Sequence, residues 1–125
     1  DFGDPKIIEN ATAADFIKIR EYFADIKKRL LQAEPGCEDG ALIKEELETA
    51  ADMVEWMQLI GLYYVCMRDG DTNAAKKYLE DFAAQRETVY NRFKTCWLKR
   101  NKYGYLDKSL EKLDKPYTAA LRIKE

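Results

Sequence analysis

At 125 residues, with 46% hydrophobic and 35% charged side chains, the chain has the size and apolar content of one domain with one real core, which excludes a disordered segment. Twenty-one Lys and Arg nearly balance twenty-three Asp and Glu, and a net charge of -2 gives no general attraction to nucleic acid or to an anionic membrane. No apolar run approaches the length of a membrane span, and nothing resembles a signal peptide.

Histidine is absent, so the usual general base and the usual metal ligand are missing, and Ser-His and Cys-His nucleophilic schemes go with them. Cys37, Cys66 and Cys96 are odd in number and lack any CxxC spacing, which indicates neither a zinc site nor a disulfide framework. No metal and no cofactor is therefore expected, and each thiol reads as buried or idle. The chain opens Asp1-Phe2-Gly3 without an initiator methionine, as expected of a processed product or an excised piece of something longer. The letters DFG occur without a glycine-rich loop, HRD or APE, so they do not make a kinase.

Residues 1–10 include Pro5 and show no clear period, and they read as an extended lead-in. Thr12 followed by Asp15 has the form of a helix N-cap with an acid in the first turn. From there Phe16, Ile19, Phe23, Ile26 and Leu30 alternate steps of three and four, the spacing of one helical face. Asp25 and Arg29 lie one turn apart on the charged side, and Glu34-Pro35-Gly36 ends the pattern.

A second helix is predicted over residues 39–68, closed by Asp69-Gly70. It is apolar on more than one side. Ile43, Leu47, Ala50, Val54 and Met57 form one stripe, and Met53, Trp56, Ile60, Tyr63 and Met67 another, so this helix should sit between partners. Glu45, Glu46, Glu48, Asp52 and Glu55 make its first half acidic. That suits the positive end of the helix dipole better than a cation site, because one helix rarely supplies converging oxygens.

The third helix is predicted from Asp71 or Thr72 to about Asn101, and each long helix should span about 45 Å at 1.5 Å per residue. Its inward positions are Ala75, Leu79, Phe82, Val89, Phe93 and Cys96, and Arg86 interrupts that stripe. If the second and third helices are antiparallel across the Gly70 turn, position 55 lies level with position 86. Glu55 interrupts the stripe Ala51, Leu59, Leu62 and Cys66, so a partly buried Glu55–Arg86 ion pair is expected. The same register sets the acidic half of the second helix beside Arg92, Lys94, Lys99 and Arg100. Compensation between the helices explains that basic run better than a phosphate site does.

After a turn at Gly104, Leu106, Leu110 and Leu113 predict a short fourth helix with Asp107 in its first turn. It should end before Pro116, since the residue preceding a proline is pushed out of the helical region. Residues 117–125 add at most a last turn. There is no strand alternation and no repeat. The expected fold is all-α: one domain over residues 1–125, an antiparallel bundle of three long helices with a short fourth helix across one end.

The segment Trp97-Leu98-Lys99-Arg100-Asn101-Lys102-Tyr103-Gly104-Tyr105-Leu106 resembles a pattern near the C-terminus of bacterial family-20 glycoside hydrolases, the β-N-acetylhexosaminidases. Trp97, Leu98, Arg100, Asn101, Gly104 and Leu106 match, and Ser109 fits more weakly. Two positions depart from the pattern, Tyr103 where those relatives commonly place proline and Tyr105 where they place a second glycine. The match covers about a dozen residues, and the preceding helices agree only in general character.

In that family the chemistry belongs to a (β/α)-barrel, whose Asp-Glu pair acts with the substrate's own acetamido group. This chain has no room for a barrel, so no catalytic residue carries over to it. The resemblance implies a C-terminal helical appendage of a carbohydrate-cleaving enzyme. Its partners would be the catalytic barrel of the same polypeptide and, in a homodimer, a second copy; neither nucleic acid nor membrane is expected. Trp97, Arg100, Asn101, Tyr103 and Tyr105, with Tyr117 nearby, are the candidates for contact with a partner or with the rim of a sugar cleft, because Trp and Tyr join a large face to a polar edge. The competing expectation, that Trp97 is core and the tyrosines cover the bundle's end, carries more weight, since aromatic residues at helical spacing usually fill cores.

Two other classes compete. A free-standing interaction module would leave an apolar stripe open to a partner helix, and Leu31, Ile17 and Leu98 are where one would start. A small helical enzyme of the chorismate mutase kind would gather arginines on an anionic substrate. Arg20, Arg86 and Arg100 are available for that, but nothing in their spacing makes them converge.

Overall fold

The computed structural model describes residues 5–34, 36, 38–100 and 106–124, and within them the chain is an all-α bundle. A single 3-10 turn, Pro5–Ile8, leads into α1 (Ala13–Gln32), α2 (Gly40–Arg68), α3 (Thr72–Arg100) and α4 (Leu106–Lys124). Over Pro5–Ile8 the lead-in is thus a tight turn where an extended segment was expected, and residues 1–4 lie outside the described residues. Arg68 explains its shape by donating from one guanidinium nitrogen to the carbonyls of both Ile8 and Ala11.

The helix ends follow local chemistry. Thr12 caps α1 in a full capping box: Asp15 N–H donates to Thr12 Oγ1 at 3.3 Å, and Thr12 N–H donates to Asp15 Oδ2 at 2.9 Å. These bonds hold the Asp15 carboxyl below its ordinary range. At the end of α2, Gly70 takes φ +79°, Asp71 N–H reaches back to the Cys66 carbonyl at 2.9 Å, and Gly70 N–H reaches the Met67 carbonyl at 3.3 Å. This is a Schellman closure, and it needs glycine because positive φ crowds a Cβ. Asp71 then accepts from Ala74 N–H at 3.2 Å and starts α3 at once. Two helices of 29 residues, each about 44 Å long, are thereby folded into a hairpin.

α2 is the central helix, with α1 and α3 packed along it and α4 resting on both α2 and α3. Its second half is buried on every side, without interruption over residues 59–66. Trp56 stacks on Phe82 of α3 with ring centroids 4.0 Å apart and planes 10° apart, and its Nε1–H donates to the Phe82 carbonyl at 2.9 Å. Ala75, Leu79, Val89 and Cys96 complete the α3 side, as their period predicts. The first half of α2 is not enclosed. Ile43 and Leu47, from the stripe expected to face a partner, remain 37% and 51% exposed.

The close approach of α1 depends on one glycine. A Cβ at Gly61 would lie 2.4 Å from Cε1 of Phe16, so only a residue without a side chain lets that ring seat against the α2 backbone.

The predicted α2–α3 register holds, and the basic end of α3 meets the acidic half of α2. Lys99 Nζ lies 2.6 Å from Glu45 Oε2, and Arg92 pairs with Asp52. The hydrogen bond from Lys99 keeps the Glu45 carboxyl below its ordinary range. The Glu55–Arg86 pair does not form, however. Glu55 turns toward α1, where it meets Lys27 and, at 3.9 Å, Arg20, while Arg86 turns toward Asp114 of α4. Counting from the Gly70 turn fixes height along two antiparallel helices but not the direction around each axis. Each charge found a nearer partner on a different neighbour.

The fourth helix also differs from expectation. It is 19 residues long and runs through Pro116, which has no N–H for the Lys112 carbonyl. Burial outweighs that defect: Pro116 and Ala120 are fully enclosed, and the hydroxyls of Tyr64 and Tyr63 donate to the carbonyls of Pro116 and Ala120, each at 3.3 Å.

Candidate functional site

Of the residues nominated for contact, Trp97 is the one whose surroundings are described. It sits half-buried near the end of α3, its ring 5.6 Å from Phe93, and its Nε1 is buried without a hydrogen-bond partner among the described residues. With Thr49, Ala50, Met53, Phe93 and Cys96 it lines a shallow groove of about 200 Å³ between α2 and α3, and Glu46 stands at its edge. Arg100 ends α3, but its side chain lies outside the described residues, as do Asn101, Tyr103 and Tyr105. Tyr117 is half-buried against the core, its ring centroid 5.6 Å from that of Phe82.

The groove is apolar with one orphaned donor, and its floor is closed by polar bookkeeping within the chain. Thr49 is buried, donates to the Glu45 carbonyl at 2.8 Å, and lies 3.1 Å from Cys96 Sγ.

A more polar cluster, missed in the sequence, joins α3 to α4. Asp114 Oδ1 accepts from Arg86 Nε at 2.9 Å, from an Arg86 terminal nitrogen, and from the Tyr90 hydroxyl at 2.7 Å. The Arg86 guanidinium lies 4.7 Å from the centre of the Tyr90 ring and 5.6 Å from that of Tyr117, so cation–π attraction adds to the ion pair. Asp114 raises the pKa of Arg86, and burial followed by Asp114 pushes the Tyr90 hydroxyl well above its ordinary value. The available signal was Arg86 itself, a charge in an apolar stripe that required a partner. The proline two residues after Asp114 concealed which one.

This cluster fastens α4 to α3. Asp114→Ala is expected to lower stability by about 2 kcal/mol in urea denaturation, since three donors lose one charged acceptor that is partly screened by solvent. Asp114→Asn, which keeps an acceptor for Tyr90, should cost about half as much.

The tyrosines also set an alkaline limit. Burial raises the hydroxyls of Tyr63, Tyr64 and Tyr90 above 10.0. A folded-state pKa above the unfolded one contributes stability that is complete below the unfolded value and lost as pH climbs past it. The urea midpoint should therefore be flat near about pH 8 and fall steadily from about pH 10 upward.

The three arginines considered for an anion site do not meet: Arg20 pairs with Glu55, Arg86 with Asp114, and Arg100 lies at the far end of α3. Among the described residues no group of three or more Cys, Asp or Glu is placed to hold a metal ion, and no helix is long and apolar enough to cross a membrane. Cys66 is buried, and burial pushes its thiol up, away from nucleophilic use. No protein-family model matches the chain, and neither does any curated protein or solved structure.

Proposed function

We propose that this chain is a non-catalytic helical appendage of a carbohydrate-cleaving glycoside hydrolase of the β-N-acetylhexosaminidase type, one that braces the catalytic barrel or mediates a dimer contact. The observation that carries this reading is the Trp97–Leu106 segment, with its Trp-Leu, Arg-Asn, Gly and Leu positions at the family's spacing. The way the chain uses its polar groups supports a supporting role. Asp52, Glu55, Arg86 and Asp114 all join one helix to another.

The test begins with the mass of the native polypeptide, read with an antibody against these residues on a denaturing gel. A band several hundred residues larger than this chain is expected, and the whole protein should release the aryl group from an aryl N-acetylglucosaminide while this chain alone does not. A native band at the chain's own size would exclude the appendage.

One observation favours a second reading, a free-standing interaction module. Most of the exposed large apolar side chains lie on two helices, with Ile17, Ile19, Tyr22 and Leu31 on α1 and Ile43 and Leu47 on the first half of α2. Capture of a soluble partner that is lost on Leu31→Glu and Leu47→Glu would support the module.

A further inference from the structure

The two ends of α1 are attached in different ways. At its start, Ala13 and Phe16 pack against the core, Phe16 is seated over Gly61, and Arg68 grips the carbonyls of Ile8 and Ala11 just upstream. Beyond Phe16 no residue of α1 joins the central cluster, and no residue anywhere on the helix is fully buried. Phe23, Ile26 and Leu30 are half-buried beyond that point, and the rest of the helix is tied to α2 by charge as well. Lys27 Nζ lies 2.8 Å from Asp52 and also meets Glu55, Arg20 reaches Glu55 at 3.9 Å, and Lys44 Nζ donates to the Leu31 carbonyl at 3.2 Å.

The same two carboxylates serve α3. Arg92 pairs with Asp52, and between α1 and α3 runs a groove lined by Lys27, Gln85, Thr88 and Arg92 over Trp56. Three cations from two helices thus converge on two acids of the helix between them. Glu21 and Tyr78 face the neighbouring stretch of the groove, beside Arg20. Arg20 Nε is buried there without a hydrogen-bond partner, so this end of the network is under-satisfied.

We infer that α1 is a hinged arm: its first turn is the pivot, Asp52 and Glu55 are the catch, and salt frees residues 20–32 while α2, α3 and α4 stay folded. The catch is partly open to solvent, so ions screen it, and the screening length falls from about 10 Å at 0.1 M to about 3 Å at 1 M. Release uncovers the α2 surface around Asp52 and Glu55, giving the bundle a closed and an open form.

Hydrogen exchange of the full chain tests this directly. Between about 0.02 M and about 1 M NaCl, amides of residues 20–32 should exchange about tenfold faster, with those of residues 59–66 and 82–89 changing less than about twofold. Lys27→Met, which keeps the stem and removes the charge, should speed residues 20–32 at low salt and abolish their salt dependence. Lys28→Met, one residue along and exposed, should leave the wild-type salt dependence in place. The arm is refuted if residues 20–32 keep core-like protection in high salt, if Lys27→Met retains the wild-type salt response, or if that variant exposes the core amides equally.

Discussion

Trp56→Ala is expected to cost about 4 kcal/mol in urea denaturation followed by far-UV circular dichroism, a large share of the stability of a domain whose total is about 5–15 kcal/mol. The side chain is 1% exposed, stacked on Phe82 and edge-on to Tyr90 at 5.9 Å, so truncation opens a cavity where α2 meets α3. Trp56→Phe separates the ring from the donor. It keeps an aromatic face against Phe82 and loses the bond to the Phe82 carbonyl, and should cost about 1–2 kcal/mol. A loss below about 1 kcal/mol for the alanine variant would mean that the two helices do not meet through this ring.

Gly61→Ala should destabilise the bundle by about 2 kcal/mol, against the direction that helix propensity gives. In an exposed helix interior, replacing glycine with alanine gains about 1 kcal/mol. Here the new methyl would overlap the Phe16 ring, with three of its carbons within 3 Å. The clash exceeds the propensity gain, and α1 must move outward. The compensating change is specific: in Gly61→Ala with Phe16→Leu, a smaller and more flexible side chain should recover part of the loss. A double-mutant cycle should show the two sites coupled by about 1 kcal/mol or more. Additive costs would show that Phe16 does not rest on Gly61.

What the chain disclosed in advance was whatever depends on short range. The Thr12 and Asp15 box, the Gly70 closure and the stripe Ala75–Leu79–Phe82–Val89–Cys96 are set within a turn or two of sequence, and the structure follows them. The α2–α3 register was legible too, because the hairpin turn is so short that equal counting works, as Lys99 with Glu45 shows. The direction each charge takes was not legible. Glu55 had cations available on both α1 and α3, and which one lay nearer depended on how α1 seats over Gly61. Pro116 misled for a similar reason, since the proline rule is local and the burial that overrides it comes from Tyr63 and Tyr64, more than fifty residues away. The nominated contact residues fared unevenly: Trp97 lines a groove, Tyr117 is half-buried against the core, and Arg100, Asn101, Tyr103 and Tyr105 carry side chains outside the described region.

The placement of α2 between the other helices also orders the events by which the chain folds. The α2–α3 hairpin closes through a tight turn and brings Trp56 to Phe82 across 26 residues, a short loop to close. By contrast, α4 finds its place only when Tyr63 meets Ala120 across 57 residues, after the groove that receives it exists. Nucleation in the hairpin and late arrival of α4 give each helix its own kinetic signature. Truncations within the Trp56–Phe82 contact should slow folding, whereas loss of the Asp114 fastening should leave the folding rate nearly unchanged and appear as faster unfolding. The helix that completes the bundle is then the one that governs how long the native state persists once formed.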